Sequence, residues 1–253
     1  YDVNTNTNTM VAWSWKAGGS ASSNSNGSIT SSVSASTDAG FSIVSYTGTG
    51  SDANVGHGLS SAPELIITKS RSTTGDWKVH TSAIDGSWDV GTLNSTSAFG
   101  NSSYTASTNS IFYVGSGAPT NASSVTYVSY LLHSVKGYSK FGSYTGNGSL
   151  DAPFIHLGFK PAWLMIKRTD TTNSWVMFDN KRNAFNVVDK HLFANTTDPE
   201  DSSANYNEVD FLSNGFKLRE DNNTINASGG TYIFMAFAEL PFVNSSGIPN
   251  NAR

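Results

Sequence analysis

The sequence predicts an all-β protein: two tandem antiparallel β-sandwich repeats, jelly-roll-like, preceded by a strand-bearing N-terminal arm. Three observations carry this expectation. The chain is written twice, its apolar segments are short and rich in β-branched and aromatic residues, and no segment holds a helical period for three turns.

The repetition is direct. Phe41-Ser-Ile-Val-Ser-Tyr46-Thr47-Gly48-Thr-Gly50 returns as Lys140-Phe-Gly-Ser-Tyr144-Thr145-Gly146-Asn-Gly148, an offset of 98 (144 − 46). The same offset carries Pro63 to Pro161, Lys69 to Lys167 and Trp77 to Trp175. Thr126-Tyr127-Val128 matches Thr231-Tyr232-Ile233 at an offset of 105 (231 − 126), so the second copy holds 7 extra residues (105 − 98). Loops absorb insertions and packed elements do not, which makes this a duplicated folding unit. The expected division is an arm over 1–38, repeat one over 39–136, repeat two over 137–243 and a tail over 244–253.

The elements follow in order. In the arm, Val11, Trp13 and Trp15 alternate with polar residues and would share one face of a strand, laid on the first repeat or on a neighbouring subunit. Ser28–Val33 offers a second strand. Copy one carries strand signals at Phe41–Tyr46, Glu64–Lys69, Trp77–His80, Ile111–Val114 and Val125–Leu132. Copy two carries them at Phe141–Tyr144, Ala162–Arg168, Trp175–Asp179, Gly215–Arg219 and Thr231–Ala238. Leu65-Ile-Ile67 and Trp163-Leu-Met-Ile166 are apolar on both faces and are expected at sheet centres. Asn186–Phe193 is the one stretch that could make a short helical turn.

Composition narrows the function. Only 13% of residues are charged, roughly half the usual share, and the net charge is −4 with no basic block. A phosphate-tracking stripe is therefore missing, and nucleic acid is not an expected partner. No apolar run approaches the roughly 18 residues of a membrane span, so no membrane insertion is expected. The chain has no cysteine, which removes disulfides and thiolate metal sites from consideration. It opens at Tyr1 without a signal-like segment, which reads as a processed form or part of something longer.

Candidate chemistry is sparse. Tyr-Thr-Gly-x-Gly reads as a turn needing positive φ, since no helix with a Lys and Ser/Thr follows it as in a phosphate loop. His57 and His156 fall one residue apart in the repeat frame, on opposite faces if both segments are extended, which suits satisfied histidines better than a metal pair. His80, His133 and His191 have no counterpart in the other copy. For calcium the best loop tip is Asp198-Pro-Glu-Asp201, making Asp198, Glu200 and Asp201 the candidates; no other cofactor is implied. Asn207-Glu208-Val209-Asp210 supplies a single Glu-x-Asp, short of the carboxylate set of sandwich-fold glycanases. No nucleophile elbow is present either. No catalytic residue is assigned, and the protein is not expected to be an enzyme. Trp77 and Trp175 are expected in the core. Trp88, in Asp85-Gly-Ser-Trp88-Asp89, either stacks on a sugar or plugs the sandwich edge, and Tyr104 is a second stacking candidate.

Several strings carry a resemblance: Trp13-Ser-Trp15-Lys-Ala-Gly-Gly19, Gly40-Phe-Ser-Ile-Val-Ser-Tyr-Thr-Gly48 and Gly56-His-Gly-Leu-Ser-Ser-Ala-Pro-Glu-Leu65 in the first half. The second half adds Gly137–Gly148, Phe159–Arg168, Val209–Leu218 and Tyr232–Phe242. Together, from about Trp13 to Phe242, they resemble an uncharacterised domain of virion structural proteins in tailed phages of marine bacteria and cyanobacteria. In that family the domain usually ends longer tail or fibre proteins, and no catalytic or binding residues are carried over. The resemblance implies a virion location, other virion proteins as partners and a homo-oligomer (a trimer is favoured), and it leaves the ligand open. Attachment to host-surface glycan is the expectation drawn from loops rich in Asn, Ser, Thr, Gly and Tyr, with Trp88 or Tyr104 to stack on a sugar. Two rivals stand beside that expectation: a capsid-decorating or baseplate protein without a ligand, which predicts no polar pocket shared by the copies, and a polysaccharide-degrading enzyme.

Overall fold

A computed structural model describes residues 9–201 and 209–239. The first repeat contains β1 (Ser22–Asn24), β2 (Ser31–Ser36), β3 (Phe41–Thr47), β4 (Ala53–Gly56), β5 (Leu65–Ser70), β6 (Lys78–Thr81), β7 (Asp89–Thr92), β8 (Gly100–Asn101) and β9 (Ile111–Val114). After a single helical turn, α1 (Ala118–Asn121), it closes with β10 (Thr126–Leu132). The second contains β11 (Ser139–Thr145), β12 (Phe154–His156), β13 (Pro161–Arg168), β14 (Trp175–Asp179), β15 (Leu192–Phe193), β16 (Val209–Leu212), β17 (Gly215–Leu218) and β18 (Thr231–Ala238). Every named pairing is antiparallel. The fold is all-β and sandwich-like.

Each repeat sets a large sheet against a small one. In the first, β1-β2-β3-β10-β5-β6-β7-β8 faces β4-β9; in the second, β11-β18-β13-β14-β15 faces β12-β17-β16. Strand alternation explains the layers. On β3, Val44 and Tyr46 enter the first sandwich with Val55, Phe112, Tyr127 and Leu131. Phe41 and Ile43 point the other way, where they meet Trp163, Trp175, Met235 and Phe237 from the second repeat. The two large sheets thus stack back to back over a third apolar core, and Trp175 Nε1 donates across it to the Thr92 carbonyl at 3.0 Å. This is why β5 and β13, both central in their sheets, are apolar on both faces. Trp175 is buried as expected; Trp77, its counterpart, is only half-buried, at an apolar cleft of about 350 Å³ left open along this seam.

The repeated turn is built the same way twice. Tyr46 donates to the Thr120 carbonyl and Tyr144 to the Ile225 carbonyl, while Asn121 and Asn226 accept from the amides of Thr49 and Asn147. Gly50 and Gly148 adopt φ of 77° and 63°, which suits glycine. At Gly48 and Gly146 a Cβ would sit 2.3 Å from the carbonyls of Ala122 and Ala227, so a side chain is sterically excluded there. The expected turn is present, and both glycines have separate reasons.

Two expectations are corrected. Residues 11–15 form no strand, and Val11 is exposed. Trp13 and Trp15 instead pack edge-on against Trp163 of the second repeat, at centroid distances of 6.2 and 5.4 Å. Trp13 Nε1 donates to Asp179 at 3.3 Å, and Arg182 lies 5.8 Å over its ring. Indole burial and these polar contacts anchor the segment without a ladder. Asn186–Phe193 forms no helical turn either. Val188 bridges Val209, and Leu192–Phe193 pairs with β14, so the segment is drawn into sheets. Ser28–Val33, by contrast, contributes to β2.

Candidate ligand groove

The small sheet of the first repeat has two strands facing a sheet of eight, so the inner faces of β6, β7 and β8 extend beyond its cover. A groove of about 240 Å³ forms there, walled by the loop after β8 and by α1. Its floor comes from alternation on β6: Lys78 and His80 point inward while Val79 faces the other repeat. Lys78 Nζ donates to Thr92 Oγ1 at 2.9 Å and lies 3.5 Å from Asp76. His80 is 6% exposed, and burial, reinforced by the Lys78 charge, holds its pKa down at about 4. It is therefore a neutral imidazole at physiological pH, one ring nitrogen a donor and the other an acceptor. Neither ring nitrogen bonds to the protein among the described residues.

Tyr104 completes the wall. Its ring stacks on His80 at 5.0 Å and 25°, and its hydroxyl lies 3.2 Å from Thr120 Oγ1. Asn101, Ser102 and Ser103 line the rim. Such a set can hold a small polyhydroxylated or amide-bearing group: amides and hydroxyls around the rim, a neutral imidazole below, an ammonium at one side.

Among the described residues the second repeat shows no equivalent. Val176 and Phe178 stand where the first has Lys78 and His80, both fully buried, with Val188 packed into the same core and His191 6.2 Å from the Phe178 ring. One copy has been filled and the other left polar.

A family model described as a domain of unknown function, DUF7483, matches residues 1–241. The chain belongs to that family. No curated protein and no solved structure matches it.

The remaining sequence candidates fall elsewhere in this DUF7483 chain. Trp88 is 6% exposed and packed in the first-repeat core, so of its two expected roles it takes the plug, not the stacking platform. Tyr104 does line a groove, but one ring face is taken by His80. His57 is buried; its Nε2 lies 3.0 Å from the Thr108 carbonyl and its Nδ1 accepts from Leu59 N at 3.1 Å, whereas His156 is exposed on β12. The structure does not bring them together. At the calcium tip, Glu200 is paired with Arg182 at 3.0 Å, Asp201 joins His191 through its backbone, and Asp198 is exposed. Among the described residues no three His, Asp or Glu converge as a metal set. Asp210 pairs with Arg219 at 3.0 Å, while Glu208 lies outside the described residues, as do 1–8 and the 244–253 tail. Sequence reasoning missed Lys78 and His80 as site residues, although a histidine without a counterpart in the other copy was the signal.

Proposed function

We propose that this protein is a structural component of a tailed-phage virion, in the outer tail fibre or spike, that attaches to host-surface glycan through the first-repeat groove. The observation that carries the reading is the divergence of the copies at one place. The turn and the order of five large-sheet strands (β3-β10-β5-β6-β7 and β11-β18-β13-β14-β15) are retained in both, while His80, Lys78 and Tyr104 keep a polar, aromatic-walled hollow where the second copy is packed with Phe178 and Val176. A charged and an imidazole side chain in an otherwise apolar sandwich interior cost stability, and a binding role gives that cost a purpose. The resemblance to virion proteins supplies the setting, with other virion proteins and further copies of the chain as partners. The groove lining includes no carboxylate, so the reading assigns it recognition rather than glycoside hydrolysis.

A decoration or baseplate role without a ligand is the second reading, favoured by the lack, among the described residues, of a groove common to both repeats. Immunogold labelling of intact virions separates them: label at the tail supports attachment, and label over the head supports decoration. The groove itself is tested by His80→Phe, which copies the second repeat. The variant should fold and lose retention on immobilised host envelope polysaccharide; undiminished retention would remove the groove from the proposal.

A further inference from the structure

The loop between β14 and β15 runs over 180–191, whereas its counterpart between β6 and β7 runs only over 82–88. This enlarged loop carries Phe185, which is 85% exposed. An exposed phenylalanine on a mobile loop would be unremarked, but this loop is held on both sides. Lys181 N and Arg182 N donate to Asp179 Oδ1 at 2.9 Å each. Asn183 bonds Asp189 and the Lys190 amide, both at 2.8 Å. Asn186 takes both backbone groups of Phe211, at 2.9 and 3.1 Å. The ring is thus presented to solvent by a preorganised frame, the arrangement a binding platform requires.

Beside the ring lies a cavity of about 190 Å³. Val188 and Phe211 give it an apolar floor. Lys160, paired with Glu239 at 2.8 Å, stands at its side. Asn180 also lines it, and its buried Oδ1 accepts no hydrogen bond from any of the described residues. A buried acceptor of this kind calls for a donor from a ligand or from solvent. An aromatic face beside a hydroxyl-seeking acceptor, in a hollow the size of one ring, matches the two-sided chemistry of a pyranose: C–H groups on one face, hydroxyls at the edge.

We propose that this loop is a second saccharide subsite, with a pyranose ring stacked on Phe185 and a hydroxyl donated to Asn180 Oδ1. It rests on the reading of the protein as glycan-binding but not on the first-repeat groove. Two weak subsites on one chain, multiplied by copies in a fibre, would raise avidity without tight individual contacts.

The test is saturation-transfer NMR with the methyl pyranosides of glucose, galactose, mannose and N-acetylglucosamine, on wild type, Phe185→Ala, Asn180→Ala and His80→Phe, alongside retention on envelope polysaccharide. Phe185 is exposed, so its truncation should leave the fold intact. Affinity for the pyranoside that binds should fall roughly tenfold in Phe185→Ala, as for truncation of an aromatic anchor. It should fall in Asn180→Ala as well and survive in His80→Phe. A transfer signal lost only in His80→Phe would overturn this subsite and leave the groove standing. Polysaccharide retention equal in wild type and Phe185→Ala would also overturn it. A wild type that binds neither pyranosides nor polysaccharide would overturn both. A changed sedimentation coefficient in Phe185→Ala, with saccharide binding intact, would assign the ring to contact between copies and sink the proposal.

Discussion

Lys167 should give this protein an unusual gain of stability in alkaline solution. Its counterpart Lys69 is half-buried and donates to the next carbonyl, that of Ser70, at 3.2 Å. Lys167 makes the same contact with the Arg168 carbonyl at 2.6 Å, but a loop of the first repeat closes over it. Phe99 N donates to the Thr169 carbonyl at 2.9 Å, Asn173 N to the Thr96 carbonyl at 2.8 Å, and Lys167 Nζ itself to Thr96 at 3.3 Å. The residue is 0% exposed, and the nearby Asp170 is already forked by Arg168. Burial lowers its pKa from 10.5 to about 8.

The folded state therefore sheds this proton near pH 8, and the unfolded chain keeps it to near 10.5. Between those values the unfolded state binds more protons, so stability rises with pH by about 1.4 kcal/mol per pH unit. The charged form carries a penalty of about 3 kcal/mol at neutral pH and sheds it across that window. Lys167→Met removes the penalty but also the bonds to Thr96 and Arg168, each worth about 1 to 3 kcal/mol, so its effect at pH 7 is small. The pH dependence is the cleaner measure. In chemical denaturation, wild type should gain about 2 kcal/mol on Lys167→Met between pH 8 and 9.5. Above pH 10 wild type and variant should both lose stability, because burial raises the pKa values of Tyr46 and Tyr144 and only the unfolded chain ionises them readily. A wild-type-minus-variant difference that stays flat across pH 8–9.5 would refute the assignment of a strained, buried ammonium.

Three further outcomes are expected. Asn226→Ala removes bonds to Asn147, Ser149 and Glu220 and should cost about 3 kcal/mol in thermal unfolding, with Asn121→Ala comparable in the first repeat. Asp89→Asn should raise the melting temperature at pH 7, by about 1 kcal/mol in stability, because Asp89 is 4% exposed, its Oδ2 has no partner among the described residues, and burial raises its pKa; that gain should shrink as the pH falls and the wild-type carboxyl protonates. Trp13→Ala should free the arm from Trp163, Asp179 and Arg182, costing about 2 kcal/mol and exposing the segment before Ser22 to protease, with the sandwiches left folded; resistance equal to wild type would refute the anchoring.

Much of the architecture was legible because it depends on short-range chemistry. Ile111–Val114, Trp175–Asp179 and Thr231–Ala238 form strands at the expected bounds, and most of the others fall within two residues. β-Branched and aromatic runs ended by Gly, Asn or Pro leave the backbone few choices. β1, β4, β7, β8, β12, β15 and β16 escaped notice, because strands of two to four residues carry little or no periodicity. The arm misled in a different way: Val11, Trp13 and Trp15 alternate as a strand would, yet no ladder forms around them. Alternation records which side chains are buried and not whether a neighbouring backbone offers hydrogen bonds. The groove was half visible. Tyr104 and the unmatched His80 were in the sequence, but their contact depends on a loop folding back over β6.

The sequence alone settled that this protein is all-β and duplicated, because period-two patterning and repeated turns are local properties that survive in a linear string. It also placed the Tyr-Thr-Gly-x-Gly turns, whose second glycine takes the positive φ expected of it. Only the tertiary structure decided that the two large sheets stack back to back, that Trp88 is core, that Lys167 is entombed, and that Lys78 and His80 line a hollow while Val176 and Phe178 fill one. Those outcomes rest on which surfaces meet between segments far apart in the chain. A residue's cost or use is set by what is packed against it, and a sequence does not print that.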